Sequence, residues 1–275
     1  MAALLIFGAT GNAFAGGRSE PWQMGFQPAG SPVMERITEF HNLVLVIEVS
    51  IVALVLGLMC YIIVRFNAKA NPVPSKTTHN TLLEVVWTVV PLLILIVVAV
   101  PSLKLLYYSD RVENTEMTLK VTGNQWFWSY TYPDHGGFEF DSVIVPDDEL
   151  KAGQPRLLTV DNEVVLPAET NIRLLFTSAD VIHNWGVPSL GLKLDTVAGR
   201  ISETWVRINK KGNYYGMCSE LCGVNPGFMP IHIKAVSKAD FEAWTKMTKE
   251  KFATKDTEVL DSPDHTNLVS FPSSR

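Results

Sequence analysis

With 275 residues, 47% of them apolar, and a mean hydropathy of +0.15, the chain is long enough for one or two domains and too apolar to be wholly soluble. The net charge of −5 is unevenly spread: between Ser109 and Asp180 there are 13 acidic residues against 5 basic ones, which argues against nucleic acid and for a basic partner. Three cysteines, Cys60, Cys218 and Cys222, are too few for a disulfide-stapled scaffold.

The chain opens on MAALLIFGATGNAFAGG, which reads as the apolar and cleavage parts of an export signal. Ala13-Phe14-Ala15 fits the small-x-small rule ahead of Gly16, although a basic n-region is missing, and residues 1–15 are assigned to a signal-peptide remnant. A leader of no consequence is the alternative. Two runs then reach the roughly 20 apolar residues that cross a bilayer. Leu43 to Val64 carries one charge, Glu48, and Val85 to Leu103 carries none, so transmembrane helices are predicted at about 41–65 and 83–107 within an N-terminal part, 16–108. Pro91 and Pro101 are candidate kinks in the second helix, and Cys60 reads as a small apolar residue in the first. A carboxylate as deep as Glu48 is costly in lipid, so it is expected to face a partner subunit or water. The loop from Arg65 to Leu83 holds Arg65, Lys69 and Lys76 and no acid, which puts it in the cytoplasm and both termini outside.

Beyond Asp110 the pattern turns to short strands. MTLKVTG, QWFWSYTY, RLLTVDNEVVL and NIRLLFTS alternate or are β-branched, between Gly, Pro, Asn and Asp. So many strands within residues 109–254 predict an all-β sandwich or barrel, closed by a helix over Lys238–Thr254. A polar tail over 255–275 is expected to be poorly ordered.

The chemistry concentrates in CSELCGVNPGFMPIHI, Cys218 to Ile233. Cys218, Cys222 and Met229, with His183 in DVIHNWGVPS at the end of a predicted strand, offer two thiolates, a thioether and an imidazole, a set that suits copper over hard cations. A Cys218–Cys222 disulfide is an open alternative in an oxidising compartment. Zinc lacks its usual Cys-x2-Cys spacing and a second pair.

EVVWTVVP and VPSLKLLY, then GNQWFWSY, VDNEVVLP, HNWGVPSLGLKLDTVAGR, and CSELCG with GFMPI, occur in this order. Over nearly its whole length the chain resembles subunit II of the haem–copper cytochrome c oxidases, α-proteobacterial and mitochondrial branch. The resemblance implies an antiparallel two-helix transmembrane hairpin before a cupredoxin-like Greek-key sandwich, in a bacterial inner membrane with the copper domain in the periplasm, or in the mitochondrial inner membrane. It implies a dinuclear copper centre (CuA) that receives electrons from cytochrome c and passes them to haem in subunit I, where dioxygen is reduced with proton pumping. His183, Cys218, Cys222 and Met229 match four of its side-chain ligands. Glu220 matches the residue giving a backbone carbonyl to copper and a carboxylate to a Mg2+ shared with subunit I.

Further roles follow from the same resemblance. Trp126 matches the aromatic through which electrons arrive, whereas Trp128 reads as packing. Asp134, Glu139, Asp141, Asp161 and Asp180 lie in or near the family's docking segments for cytochrome c, with Asp161 and Asp180 foremost. Glu84 matches the acid at the mouth of a proton channel leading into subunit I. The partners implied are subunit I, the other oxidase subunits, cytochrome c and the lipid bilayer, with no nucleic acid.

One position departs from the pattern. The family's C-x3-C-x3-H-x2-M places Pro226 at a histidine, and proline offers neither a side-chain donor nor an N–H. Strand alternation from Met229 aims His232 away from the cluster, so an altered or weakened copper site is expected. Two other functions compete: a quinol-oxidase-like subunit II without working copper, and a membrane-anchored copper-binding or delivery protein. The first would not need Cys218, Cys222 and Met229 together, and the second needs neither Glu84 nor Trp126.

Overall fold

The computed structural model describes residues 16–73, 75–111 and 114–260, with side chains described as far as Phe252. The export signal assigned to residues 1–15 lies outside the described residues, as does 261–275. The chain divides into two units, Pro32–Arg111 and a second made of the residues up to Ser31 and from Val112 onward.

The first unit is a pair of helices, α1 (Pro32–Arg65) and α2 (Thr81–Asp110). Apart from Val33 and Met34 at the start of α1, their apolar side chains are exposed or half-buried, and neither helix's most apolar window has a buried residue. Such helices need an apolar solvent, and at 1.5 Å per residue they run to about 51 and 45 Å, longer than the ~30 Å hydrocarbon core. Asn80 caps α2, its side chain accepting from the Leu83 N–H, and the helix continues through both Pro91 and Pro101. The Arg36 guanidinium lies 3.5 Å from the Tyr108 ring centre, joining the start of α1 to the end of α2, so the two run antiparallel. Cys60 is exposed on α1.

The second unit is a β-sandwich. One sheet has the order β4 (Glu139–Ser142), β3 (Phe127–Thr131), β2 (Met117–Asn124), β6 (Asn171–Ser178), β9 (Ser202–Arg207). The other runs β5 (Val164–Pro167), β11 (Pro230–Val236), β10 (Gly212–Cys218), β7 (His183–Val187), β8 (Leu192–Thr196). Strands β2 and β6 alternate buried and half-buried residues throughout, the period of a half-covered sheet. Leu119, Val121, Trp128, Ile172, Leu174 and Phe176 meet Val164, Leu166, Trp185, Val187, Ile231 and Ile233 in one core. The pairings β2–β6 and β5–β11 are parallel and the rest of these are antiparallel; β2–β3, β3–β4, β7–β8 and β10–β11 are pairs of consecutive strands, and the parallel pairs join strands distant in the chain.

The helix α3 (Lys238–Leu260) packs Phe241 and Trp244 against Tyr132 and Phe138, and it continues past Lys255, where the polar tail was expected. RLLTVDNEVVL forms a strand only from Val164 on: Arg156 to Leu158 make a turn in which Leu157 takes a left-handed φ of 62°, Val160 makes a lone bridge to Ile144, and the chain bends at Asp161 and Asn162. The short strand β1 (Gly16–Gly17) pairs parallel with β10, and Gly30 exchanges backbone bonds with Ser189 and Asn209. A Cβ at Gly30 would sit 2.4 Å from the Tyr214 ring, so this approach requires glycine. The segment ahead of α1 is thus built into the same unit as the sandwich, as two membrane crossings require.

Candidate metal centre

Cys218 ends β10, and the chain then turns through Glu220 and Cys222 into a short 3-10 turn, Pro226–Phe228, before Met229 opens onto β11. His183 begins β7, the neighbour of β10, rather than ending a strand as expected. The Cys218 N–H donates to the Met229 carbonyl at 3.3 Å and the Ser219 N–H to the Asn184 carbonyl at 3.2 Å, so the loop closes on itself and against β7. The result brings four donors together. The ligand atoms of His183, Cys218 and Cys222 lie within 4.8 Å of one another; Cys218 Sγ is 3.7 Å from Cys222 Sγ, and Cys222 Sγ is 3.8 Å from Met229 Sδ. All four residues are buried.

Both cysteines are free thiols, with sulfurs far beyond the ~2.05 Å of a disulfide. Their spacing suits a metal instead: sulfurs each about 2.3 Å from one tetrahedral ion stand ~3.8 Å apart. His183 adds an orphaned donor, since its Nδ1 is buried and has no hydrogen-bond partner. A buried imidazole nitrogen, two thiols and a thioether fit a soft metal ion.

The electrostatics set the two sulfurs apart. Burial raises the Cys218 thiol, but His183 and the Asn184 and Glu220 backbone outweigh it and hold it below the usual range. Cys222 is pushed up to about 12 by burial and by the neighbouring Cys218 sulfur. Burial also opposes charge on His183, yet Cys218 and Asp180 together raise it.

A second ring of residues fixes these ligands. Trp128 is fully buried, and its indole Nε1–H donates to the Met229 carbonyl, the same oxygen that accepts from Cys218. Its ring also meets His183 edge-on at 5.9 Å. Sequence reasoning gave Trp128 only a packing role; nothing local in the sequence marks the bond, which spans about a hundred residues. Trp126 is half-buried in the turn between β2 and β3, and its Nε1–H donates to the Cys222 carbonyl at 3.0 Å. Gln125 Nε2 donates to the same oxygen at 3.0 Å. Gly123 leaves room for the imidazole, because a Cβ there would stand 2.7 Å from His183 Cδ2 and 2.8 Å from Thr196 Oγ1.

The remaining predicted residues separate. Glu220 turns its carbonyl toward Cys218 Sγ at 3.6 Å, while its carboxylate is exposed and accepts from the Leu221 N–H. Pro226 is half-exposed at the start of the 3-10 turn. His232 is buried elsewhere, stacked on Tyr215 with Nε2 3.3 Å from Asn213 and Nδ1 3.7 Å from Glu163. Asp180 touches His183 directly, its Oδ1 2.8 Å from Nε2. Asp134 accepts from the Thr118 N–H, at the end of β2 about 20 Å from Trp126. Glu139 pairs across from Thr131 and Asp141 across from Ser129, stepping toward the metal end. Asp161 accepts from the Val143 N–H and lines one depression with Glu139 and Asp141. Three of the acids therefore gather at one depression, while Asp134 and Asp180 lie apart from it. In the helical unit, Glu84 sits in the first turn of α2 and Glu48 is exposed on α1.

The comparisons with known proteins fit this geometry. A family profile described as "Cytochrome C oxidase subunit II, periplasmic domain" matches residues 117–236, and one described as its transmembrane domain matches residues 19–105. A "Probable cytochrome c oxidase subunit 2" of Rickettsia felis is 54% identical over 82% of this chain and 71% of its own. The chain belongs to the cytochrome c oxidase subunit II family. The Phytophthora megasperma subunit 2 is 47% identical over 83% of this chain and 88% of its own. The crystal structure of the periplasmic domain of subunit II (CoxB) of Bradyrhizobium japonicum is 48% identical, with a TM-score of 0.49 and coverage of 52% of this chain and 99% of that one. As a subunit II, the chain is a membrane-spanning part of a cytochrome c oxidase of the respiratory chain, with a cupredoxin-like domain carrying a His/Cys/Cys cluster.

Proposed function

We propose that this subunit II accepts electrons from cytochrome c at a dinuclear copper centre, for delivery to haem in subunit I, where dioxygen is reduced to water with proton pumping. The observation that carries the reading is the buried set of His183, Cys218, Cys222 and Met229 with Trp126 hydrogen-bonded to the Cys222 carbonyl. Copper held by these residues supplies a one-electron couple in a dry, rigid setting. The chain's own residues do the rest. Cys218 and Cys222 present sulfur on both sides of a 3.7 Å gap, and the Glu220 carbonyl faces the same gap. The exposed Glu220 carboxylate, one oxygen of which accepts from the Leu221 N–H, would offer a hard oxygen donor to Mg2+ at the contact with subunit I.

Trp126, half-exposed and one hydrogen bond from Cys222, is the electron gateway. The exposed carboxylates of Asp141, Asp161, Glu139 and Asp134 steer a basic cytochrome c, raising the rate of encounter more than the affinity. Glu84, at the first turn of α2, opens a proton path into subunit I. The basic loop between the helices lies in the cytoplasm and the sandwich in the periplasm, or in the equivalent mitochondrial compartments.

Pro226 is the one observation favouring a quinol-oxidase-like subunit without copper. Metal analysis of the isolated full chain, with near-infrared and EPR spectra, separates the two. Two coppers per chain sharing one unpaired electron support the electron-accepting reading. A chain that takes up no copper would refute it.

A further inference from the structure

Asp180 joins two parts of the centre that the sequence keeps apart. Its Oδ1 stands 2.8 Å from His183 Nε2 and accepts the Val181 N–H at 2.6 Å, and its Oδ2 accepts the Gln125 N–H at 2.8 Å. Ser178 Oγ, 3.3 Å from Oδ1, completes the set. Gln125 in turn holds the Cys222 carbonyl through its side chain, beside the Trp126 indole on the same oxygen. One carboxylate thereby ties the imidazole, the aromatic turn and the sulfur loop into a single frame.

The ring nitrogens of His183 are not interchangeable in this frame. Because Nε2 is engaged by the carboxylate, the buried and unpartnered Nδ1 is the nitrogen left for the sulfur cluster. A ligating imidazole whose other N–H is held by a carboxylate is fixed in tautomer and orientation. Although Asp180 is partly exposed, both of its oxygens accept hydrogen bonds from this chain, so the carboxylate is held in place on the His183 side.

We infer that Asp180 is a positioning residue, which orients His183 toward the sulfurs and locks the Gln125–Trp126 turn to it. The inference rests on the metal-centre reading of the cluster. It predicts a split between two variants. Asp180→Ala removes every acceptor. Asp180→Asn removes the charge and the acceptor facing Gln125 but keeps an oxygen for His183 and Val181.

The test uses the full chain in detergent with ring-15N histidine; with six histidines the spectrum is tractable. In the metal-free wild type, His183 Nε2–H gives an exchange-protected resonance that survives in Asp180→Asn and vanishes in Asp180→Ala. Competition with a chromophoric Cu(I) chelator gives an affinity about 10- to 100-fold weaker in Asp180→Ala, the scale of lost outer partners, and less than about tenfold weaker in Asp180→Asn. Asp148→Asn, an exposed charge removed elsewhere, leaves both readouts unchanged. Wild-type affinity in Asp180→Ala, or an unprotected His183 ring in the wild type, overturns the inference. So does a response confined to the kinetics with cytochrome c. If the wild-type chain binds no Cu(I), the proposed function fails while the His183 resonance still decides the role of Asp180. Should Asp180→Ala not fold, an unprotected His183 in a folded Asp180→Asn refutes the inference and a protected one supports it.

Discussion

Replacing Trp126 with phenylalanine separates its electronic role from its structural one. The Cys222 carbonyl accepts two hydrogen bonds, from Trp126 Nε1 and Gln125 Nε2, each at 3.0 Å. Phenylalanine removes the first and leaves the second, so the carbonyl is never stranded. The loss is then that of one ordinary hydrogen bond, about 0.5–1.5 kcal/mol, which is at most around a factor of ten in any equilibrium. Copper retention and fold should both survive a change of that size. If the indole is the gateway, electron delivery has no comparable reserve and should fall by well over tenfold. The assay is stopped-flow oxidation of reduced cytochrome c by the assembled oxidase carrying Trp126→Phe, with copper content measured on the same sample. An unchanged rate at full copper would refute the gateway role. Loss of copper beyond about tenfold would instead mean that the indole hydrogen bond holds the loop.

Two other perturbations test the scaffold. Gly123→Ala forces a methyl against His183 and Thr196, both fully buried, and should destabilise the folded chain by about 1–3 kcal/mol in denaturant titration; a neutral result would mean that the imidazole can shift freely. Burial holds His232 below its ordinary value despite the partly opposing Glu163, so the folded state resists a proton that the unfolded chain accepts. Stability from this group is therefore complete above about pH 6.5 and is lost as the pH falls through the lowered folded value. Thermal midpoints measured from pH 7.5 down to 5.0 should drop less in His232→Gln than in the wild type, and parallel curves would sink the assignment.

The membrane helices were legible in the sequence because lipid imposes a one-dimensional requirement, about 20 apolar residues in a row, and α1 and α2 meet it without help from any distant contact. Strands β2 and β6 were legible for a similar reason, since a half-covered sheet writes its period into every second side chain. The ligand types and their spacing were legible too, as soft donors in a short loop. The segment RLLTVDNEVVL misled because its residue types suit a strand, while a turn through the left-handed Leu157 and a bend at Asp161 and Asn162 leave Val160 with a lone bridge. Trp128 passed for core because its indole finds Met229 only when the two sheets stack. The tie from Asp180 to His183 was not legible, because a three-residue separation says nothing about where a loop turns its carboxylate. By itself the sequence determined the spans, the sandwich and the donor set, which depend on local composition and period. Only the tertiary structure decided which of two ring nitrogens is left to the sulfurs and which carbonyls the tryptophans hold, because those hydrogen bonds join residues that folding alone brings within 3 Å or so.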